Sequence, residues 1–227
     1  MKPYIWKLII QTIILFGLIA AALFISAGTV IWVEGWVFFC LFFLFFIGVS
    51  LWLFRVNPSL AQERMRLGGL NQQEWDRILF PIMFLSPIAW LVLSSLDAVR
   101  FRWSHVPILI EILGGLLLLF SFYLFFLTFR ENSYLSPMAR VQNDRGQKVV
   151  STGPYAVIRH PMYLAFAPFM VGTPLMLGSW FGAAVGILFM ILPVRRAVLE
   201  ERMLIESLDG YREYMQKVKY RFIPYVW

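Results

Sequence analysis

Residues 36–54 read WVFFCLFFLFFIGVSLWLF, a run without a single charged side chain. A helix over this run extends about 28 Å, close to the roughly 30 Å thickness of the hydrocarbon core of a bilayer. Similar apolar runs cover Ile5–Ala27, Ile78–Leu96 and Val106–Phe129. Each run predicts a membrane-spanning helix, and together they predict a polytopic membrane protein.

A fifth apolar run, Tyr163–Leu192, is too long for one straight span. Gly178 and Ser179 interrupt it near its middle, which favours two short spans joined by a tight turn. The predicted fold is therefore all-α: a transmembrane helix bundle of five or six spans, followed by amphipathic cytoplasmic helices after Arg195. The five-span alternative arises if part of the long run enters and leaves the membrane on one side.

The composition excludes several other classes of protein. Of the 227 residues, 60% are hydrophobic and 15% are charged, against about 25% charged in soluble domains. A soluble monomer of this size cannot bury so much apolar side chain. With one Cys and two His, a zinc or iron–sulfur site has too few ligands, so no metal site is predicted. A site made of carboxylates alone stays open.

The basic residues predict an orientation in the membrane. The net charge is +7, and every Lys and Arg except Arg100 and Arg102 falls on the same side of the predicted spans. Because cytoplasmic loops carry the excess of Lys and Arg, both termini are expected in the cytoplasm. Lys2 is one of the basic residues assigned to that side. Membrane topology explains this charge, so no nucleic-acid partner is predicted. A prokaryotic inner membrane is the expected location, with the endoplasmic reticulum as an alternative.

Two features inside the apolar runs invite functional interpretations. Gly178, Gly182 and Gly186 are spaced four apart, which lets another helix approach closely. Packing within the chain is the favoured interpretation, and a homodimer face is the alternative. Glu111 is an acid within a span and hence a functional candidate, although solvation near the outer interface also explains it.

A polar segment, residues 151–163, contains the first candidate site. Gly153-Pro154 is a turn signal. Pro161 disfavours a helical conformation at His160 and can itself occupy the first turn of the next helix. Arg159 and His160 are thus expected at a helix entrance, where free backbone N–H groups favour an anion. The alternative is anchoring at the interface by Arg159 and two tyrosines, Tyr155 and Tyr163.

A second candidate is the adjacent pair Glu200 and Glu201. On a helix the two side chains point about 100° apart, so one can face the bundle while the other pairs with Arg196 at i, i+4. A buried carboxylate suits an ammonium group or a sugar hydroxyl, whereas the alternative is a solvated charged face. Gly210 indicates a helix stop before a second short amphipathic helix.

The polar motifs occur in a fixed order. They are Glu131-Asn132-Ser133-Tyr134, Val149-Val150, Gly153-Pro154-Tyr155, Arg159-His160-Pro161-x-Tyr163, Glu200-Glu201-x-x-Leu204, Gly210-x3-Tyr214 and Pro224. In this order and spacing they resemble the isoprenylcysteine carboxyl methyltransferase and phospholipid methyltransferase superfamily of integral membrane enzymes. The resemblance covers Arg130–Trp227, and Ala165 departs from it where many members have Gly.

The resemblance implies methyl transfer from S-adenosyl-L-methionine to a lipophilic acceptor in the membrane, an isoprenylcysteine-like carboxylate or a lipid amine. It implies catalytic roles for Arg159 and His160, with His160 as the base for an amine acceptor. The cofactor-binding residues it implies are Gly153, Pro154, Tyr155, His160, Pro161, Tyr163, Glu200 and Glu201.

Domain organisation follows the same division. Residues 1–129 are expected to form a four-span region, and residues 130–227 a cofactor-binding region with two short spans and a cytoplasmic tail.

Two alternative functions remain. The residues from Tyr211 to Pro224 are also similar to the C-terminus of membrane sterol reductases, which use NADPH. A scaffold or transporter without enzymatic activity is the third interpretation.

Overall fold

The structure is a computed structural model that describes residues 3–66 and 72–227, with only the backbone described for residues 3–5. Lys2, which the orientation argument assigns to the cytoplasm, lies outside the described residues. The described residues contain no β-strand, and the predicted all-α class is confirmed. In chain order the helices are α1 (Pro3–Ala20), α2 (Val33–Val56), α3 (Pro58–Arg64), α4 (Glu74–Ser95), α5 (Ile108–Glu131), α6 (Pro161–Met176), α7 (Trp180–Phe189), α8 (Ile191–Ser207) and α9 (Tyr211–Lys217).

The first four predicted spans correspond to helices long and apolar enough to cross a membrane. One π-helical turn, Ala21–Ile25, extends α1, and another, Leu96–Arg100, extends α4. Among the described residues five helical stretches meet this criterion: Trp6–Ile25, Val33–Val56, Glu74–Arg100, Ile108–Glu131 and Trp180–Ser207. The fifth joins α7 and α8 through Met190, whose backbone is also helical. The polytopic bundle is therefore confirmed.

The interruption of the long run Tyr163–Leu192 is a tight turn, as predicted. Helix α6 is only 16 residues long, Gly178 adopts a left-handed backbone with φ of +85°, and α7 begins at Trp180. Ser179 Oγ accepts a hydrogen bond from Gly182 N at 2.8 Å and donates one to Asp97 Oδ2 at 2.6 Å. Since Asp97 lies where α4 ends, this turn is at the opposite end of the bundle from Pro161.

The three glycines spaced four apart do not form a free dimer face. Gly178 lies in the turn, outside any helix. A Cβ on Gly182 would come within 2.3 Å of Ser94 Oγ, and a Cβ on Gly186 within 2.1 Å of the Met170 carbonyl oxygen. Both helical glycines therefore pack against α4 and α6 within the chain. The packing interpretation is confirmed, and the structure gives a homodimer through this face no support.

Helices α5 and α6 pack with their backbones in contact. A Cβ on Gly114 would lie 2.5 Å from Met176 N, and one on Gly172 would lie 2.7 Å from Gly114 O. Ser121 Oγ donates to the carbonyl oxygen of fully buried Ala165 at 2.8 Å. This packing fixes the start of α6 beside the end of α5, where the polar segments gather.

The short helix α3 is not predicted from hydropathy but carries recognisable start signals. Pro58 occupies its first turn, and the Asn57 side chain accepts a hydrogen bond from Leu60 N at 3.1 Å. Leu60 and Ala61 are buried against Leu53 of α2. Helix α3 thus lies at the end of the bundle where α2 and α5 end and where α4 and α6 begin. We call this the site end.

Candidate active site

The segment before α6 is a 3₁₀ turn, Gly153–Ala156, followed by an extended link to the helix. Gly153 has a φ of +55°, and a Cβ there would lie 2.4 Å from Glu131 Cγ, so this position is restricted to glycine. His160 is non-helical, with φ −125° and ψ 63°, and Pro161 begins α6. The predicted placement of His160 and Pro161 is confirmed.

The C-terminal tail holds this link by main-chain hydrogen bonds. Arg159 N donates to Tyr220 O at 2.9 Å, and His160 N donates to Arg221 O at 2.9 Å. These bonds flank a parallel bridge between Ile158 and Tyr220. The tail residues after α9 therefore fix the position of Arg159 and His160.

Three side chains converge on the carboxylate of Glu201. Arg159 Nε donates to Oε1 at 2.7 Å, His160 Nε2 lies 3.1 Å from Oε1, and Arg221 Nε donates to Oε2 at 2.8 Å. Glu201 is 2% exposed. Because an ionised carboxylate only accepts, His160 Nε2 carries the hydrogen and Nδ1 is the ring nitrogen able to take up a proton.

The Arg159 guanidinium is committed to the protein itself. Besides Glu201, its Nη1 donates to Val218 O at 2.8 Å and to Lys219 O at 2.7 Å. These contacts tie the entrance of α6 to α8 and to the tail. Interface anchoring, with the guanidinium in the headgroup region, does not describe this buried arrangement.

Glu200 faces a different environment from its neighbour. Tyr163 donates its hydroxyl to Glu200 Oε1 at 2.6 Å, and Arg196 Nε lies 3.2 Å from the same oxygen. The Glu200 side chain is 21% exposed, whereas that of Glu201 is 3% exposed. The predicted division, one carboxylate inside and the other paired with Arg196, is confirmed.

Tyr155 is buried beside α9 and α5. Its hydroxyl accepts a hydrogen bond from Asn132 Nδ2 at 3.0 Å, and its carbonyl accepts one from the Tyr214 hydroxyl at 2.7 Å. Burial raises the pKa of both the Tyr155 and the Tyr214 phenol above the usual range, so both are neutral and able to donate at physiological pH.

A cavity of about 130 Å³ lies among these groups. Five of the predicted site residues line it: Tyr155, Arg159, His160, Tyr163 and Glu200. Glu201 does not line the cavity itself, but its carboxylate contacts two residues that do, Arg159 and His160. Gly153, Pro154 and Pro161 do not line the cavity but shape the chain on either side of Arg159 and His160.

Much of the remaining wall comes from residues that sequence reasoning did not assign to the site. They lie between α5 and the 3₁₀ turn and on α6, α8 and α9, and they include Asn132, Tyr134, Ser136, Met138, Arg140, Gln142, Met162, Met203, Leu204, Tyr211 and Tyr214. The resemblance had marked Asn132, Tyr134, Leu204 and Tyr214 as motif positions without a role. Nothing in the spacing of the others indicates that they meet.

One other residue considered as a functional candidate, Glu111, lies away from this cavity. Glu111 is at the opposite end of the bundle, 3.4 Å from the place a Cβ on Gly178 would occupy. Within residues 3–66 and 72–227, no group of three or more His, Cys, Asp and Glu side chains is arranged to hold a metal ion.

Residues 109–209 match the family model described as phospholipid methyltransferase. This part of the chain is similar to the phospholipid methyltransferases. The match confirms the resemblance read from the motifs, starts within α5 and ends just before Gly210. No curated protein matches the chain.

The methyltransferase match covers α5, α6, α7 and α8 with their connections. It therefore includes Arg159, His160, Glu200 and Glu201. It does not include Tyr211, Tyr214 and Arg221, which complete the wall or hold Glu201. The site consequently extends beyond the matched region.

Proposed function

We propose that this protein transfers a methyl group from S-adenosyl-L-methionine to a lipophilic acceptor embedded in the membrane. The observation that carries the proposal is the cavity at the entrance of α6. It is lined by Tyr155, His160 and Glu200 inside a region of the methyltransferase family. We propose residues 130–227 as the cofactor-binding region and residues 1–129 as the four-span region.

The residues of the cavity suit this ligand chemically. Glu200 supplies a negative charge for an ammonium group, and the rings of Tyr155, His160 and Tyr163 can face a positively charged sulfur. Apolar side chains such as Met203 and Leu204 suit an adenine ring. Glu200, Tyr155, Tyr163 and His160 are thus proposed to hold the cofactor directly. Glu201, Gly153, Pro154 and Pro161 support them.

When bound, S-adenosyl-L-methionine supplies a methyl group on a sulfonium, which is a good leaving group. The residues of the chain then need only to position the partners and complement their charges. A carboxylate acceptor requires no base, whereas an amine acceptor must lose a proton, and His160 Nδ1 is the proposed acceptor of that proton. Arg159, fixed by Glu201, is proposed to orient this end of the site.

A membrane substrate agrees with the apolar helices of the bundle, and the acceptor would approach laterally. We propose an integral, multi-pass protein of a prokaryotic inner membrane with both termini in the cytoplasm. The site end would then face the cytoplasm, where the soluble cofactor is available.

Calorimetric titration of the detergent-purified protein with S-adenosylhomocysteine tests the cofactor assignment. We expect binding in the micromolar range for the wild type. Glu200→Gln removes the charge opposite the ligand ammonium and should weaken binding about 10-fold or more. Glu206→Gln, an exposed carboxylate on the same helix, should bind like the wild type.

NADPH serves as the parallel ligand. Binding of NADPH in place of S-adenosylhomocysteine would contradict the methyltransferase proposal and favour the reductase interpretation. If folded protein bound neither ligand, in detergent and in native lipid, the methyltransferase proposal would be overturned and the scaffold or transporter interpretation favoured.

A further inference from the structure

Residues 133–142, which follow α5, cross the site end and cover the cavity. We call this segment the strap. Seven of its positions line the cavity: Tyr134, Leu135, Ser136, Met138, Ala139, Arg140 and Gln142. The strap has no helix or strand of its own. Its position must therefore be set by contacts with other parts of the chain.

Glu63 of α3 provides one anchor. Its Oε1 accepts hydrogen bonds from Ser136 Oγ at 3.0 Å and from Arg140 Nε at 3.1 Å. Glu63 is 2% exposed, and the Arg140 side chain is 7% exposed. The neighbouring Arg64 adds a second anchor by donating to Leu135 O at 3.2 Å.

Asp76, at the start of α4, provides the third anchor. Its Oδ2 accepts from the strap amide Ala139 N at 2.8 Å, and the main chain of Gln73 donates to Ala139 O at 3.1 Å. Asp76 is fully buried. A buried carboxylate is costly unless its oxygens have donors, and the strap amide of Ala139 supplies one of them, beside Gln72 Nε2 at 2.9 Å.

Asp76 also reaches the opposite wall of the cavity through one arginine. Arg196 Nε lies 3.1 Å from Asp76 Oδ1 and 3.2 Å from Glu200 Oε1, and Arg196 Nη2 donates to the strap carbonyl Pro137 O at 2.7 Å. The Asp76 carboxylate thus holds the strap by a hydrogen bond, and its ion-pair partner Arg196 also pairs with the cavity carboxylate Glu200.

All three anchors precede residue 109 and lie outside the matched methyltransferase region. None of them lines the cavity. We infer that Glu63, Arg64 and Asp76 are positioning residues, which hold the strap as one wall of the cofactor site. The inference rests on the proposed function, because it assigns these residues to the binding of that cofactor.

The test combines S-adenosylhomocysteine titration with hydrogen exchange of the strap. Glu63→Gln and Asp76→Asn keep the shape of each anchor but place an amide where a carboxylate accepted. We expect faster amide exchange in residues 133–142 and binding weakened about 10-fold or more. Glu74→Gln, an exposed carboxylate two residues before Asp76, is the matched control and should resemble the wild type in both measurements.

Thermal unfolding shows which variants fold. If the two carboxylate variants do not fold, Arg64→Gln carries the test, because it removes one bond to the strap without leaving a buried carboxylate unpaired. Folded anchor variants that bind S-adenosylhomocysteine as tightly as the wild type would overturn the positioning role alone. A wild-type protein that binds none would overturn the proposed function, and the positioning role with it.

Discussion

At the scale of single residues, the contrast between Glu200 and Glu201 shows what helical geometry can predict. Their 100° separation on α8 predicts one buried carboxylate and one paired with Arg196, and both are observed. Glu201 has two arginine partners, the buried Arg159 and the half-buried Arg221, and neither was predictable as a partner. They come from distant parts of the chain, and no local pattern encodes that meeting.

The Glu201 carboxylate should be important for stability, whatever it does for binding. Glu201→Gln removes the charge shared by two buried or half-buried guanidinium groups, those of Arg159 and Arg221. Leaving a buried charge without its partner costs about 3–5 kcal/mol. We expect a clearly lower thermal midpoint in detergent. Glu206→Gln is the control and should keep the wild-type midpoint. A Glu201→Gln midpoint equal to that of the wild type would contradict the central role of Glu201 in this network.

At the scale of elements, hydropathy and turn signals predict most of the helices. The interruption at Gly178 and Ser179 and the start of α6 at Pro161 are both confirmed. Helix α3 was not predicted because it is short and lies in a connection between two longer helices. The strap also escaped prediction, since long-range hydrogen bonds define its path and it has no periodic pattern.

The contact between α5 and α6 depends on glycine, because the two backbones touch. Gly114→Ala would place a Cβ 2.5 Å from Met176 N and 2.7 Å from Gly172 O, and neither backbone atom can move independently. We expect a loss of stability of about 1–3 kcal/mol from the forced separation of the helices. Thermal unfolding in detergent measures it.

Gly48→Ala in α2 is the matched control, because a Cβ there meets nothing within 4 Å. It should leave stability unchanged or slightly higher, since alanine favours a helix more than glycine does. Equal midpoints for the two alanine variants would show that the α5–α6 distance can relax.

At the scale of the whole molecule, the site is assembled from parts that are far apart in the sequence. The matched region supplies Arg159, His160, Glu200 and Glu201, the tail supplies Tyr214 and Arg221, and α3 and α4 anchor the strap. The motifs after Arg130 predicted the first group. The contribution of Glu63, Arg64 and Asp76 follows only from the folded structure, because hydropathy presents them as part of a connection between spans.

Methyl transfer itself is the most direct test of this account. Native membranes containing the protein would be incubated with S-adenosyl-L-methionine labelled in its methyl group, and the label in the organic extract would then be counted. We predict labelled lipophilic product with the wild type and with Glu206→Gln. With Glu200→Gln the amount of labelled product should fall about 10-fold or more. No transfer by folded wild-type protein above membranes that lack it would contradict the account.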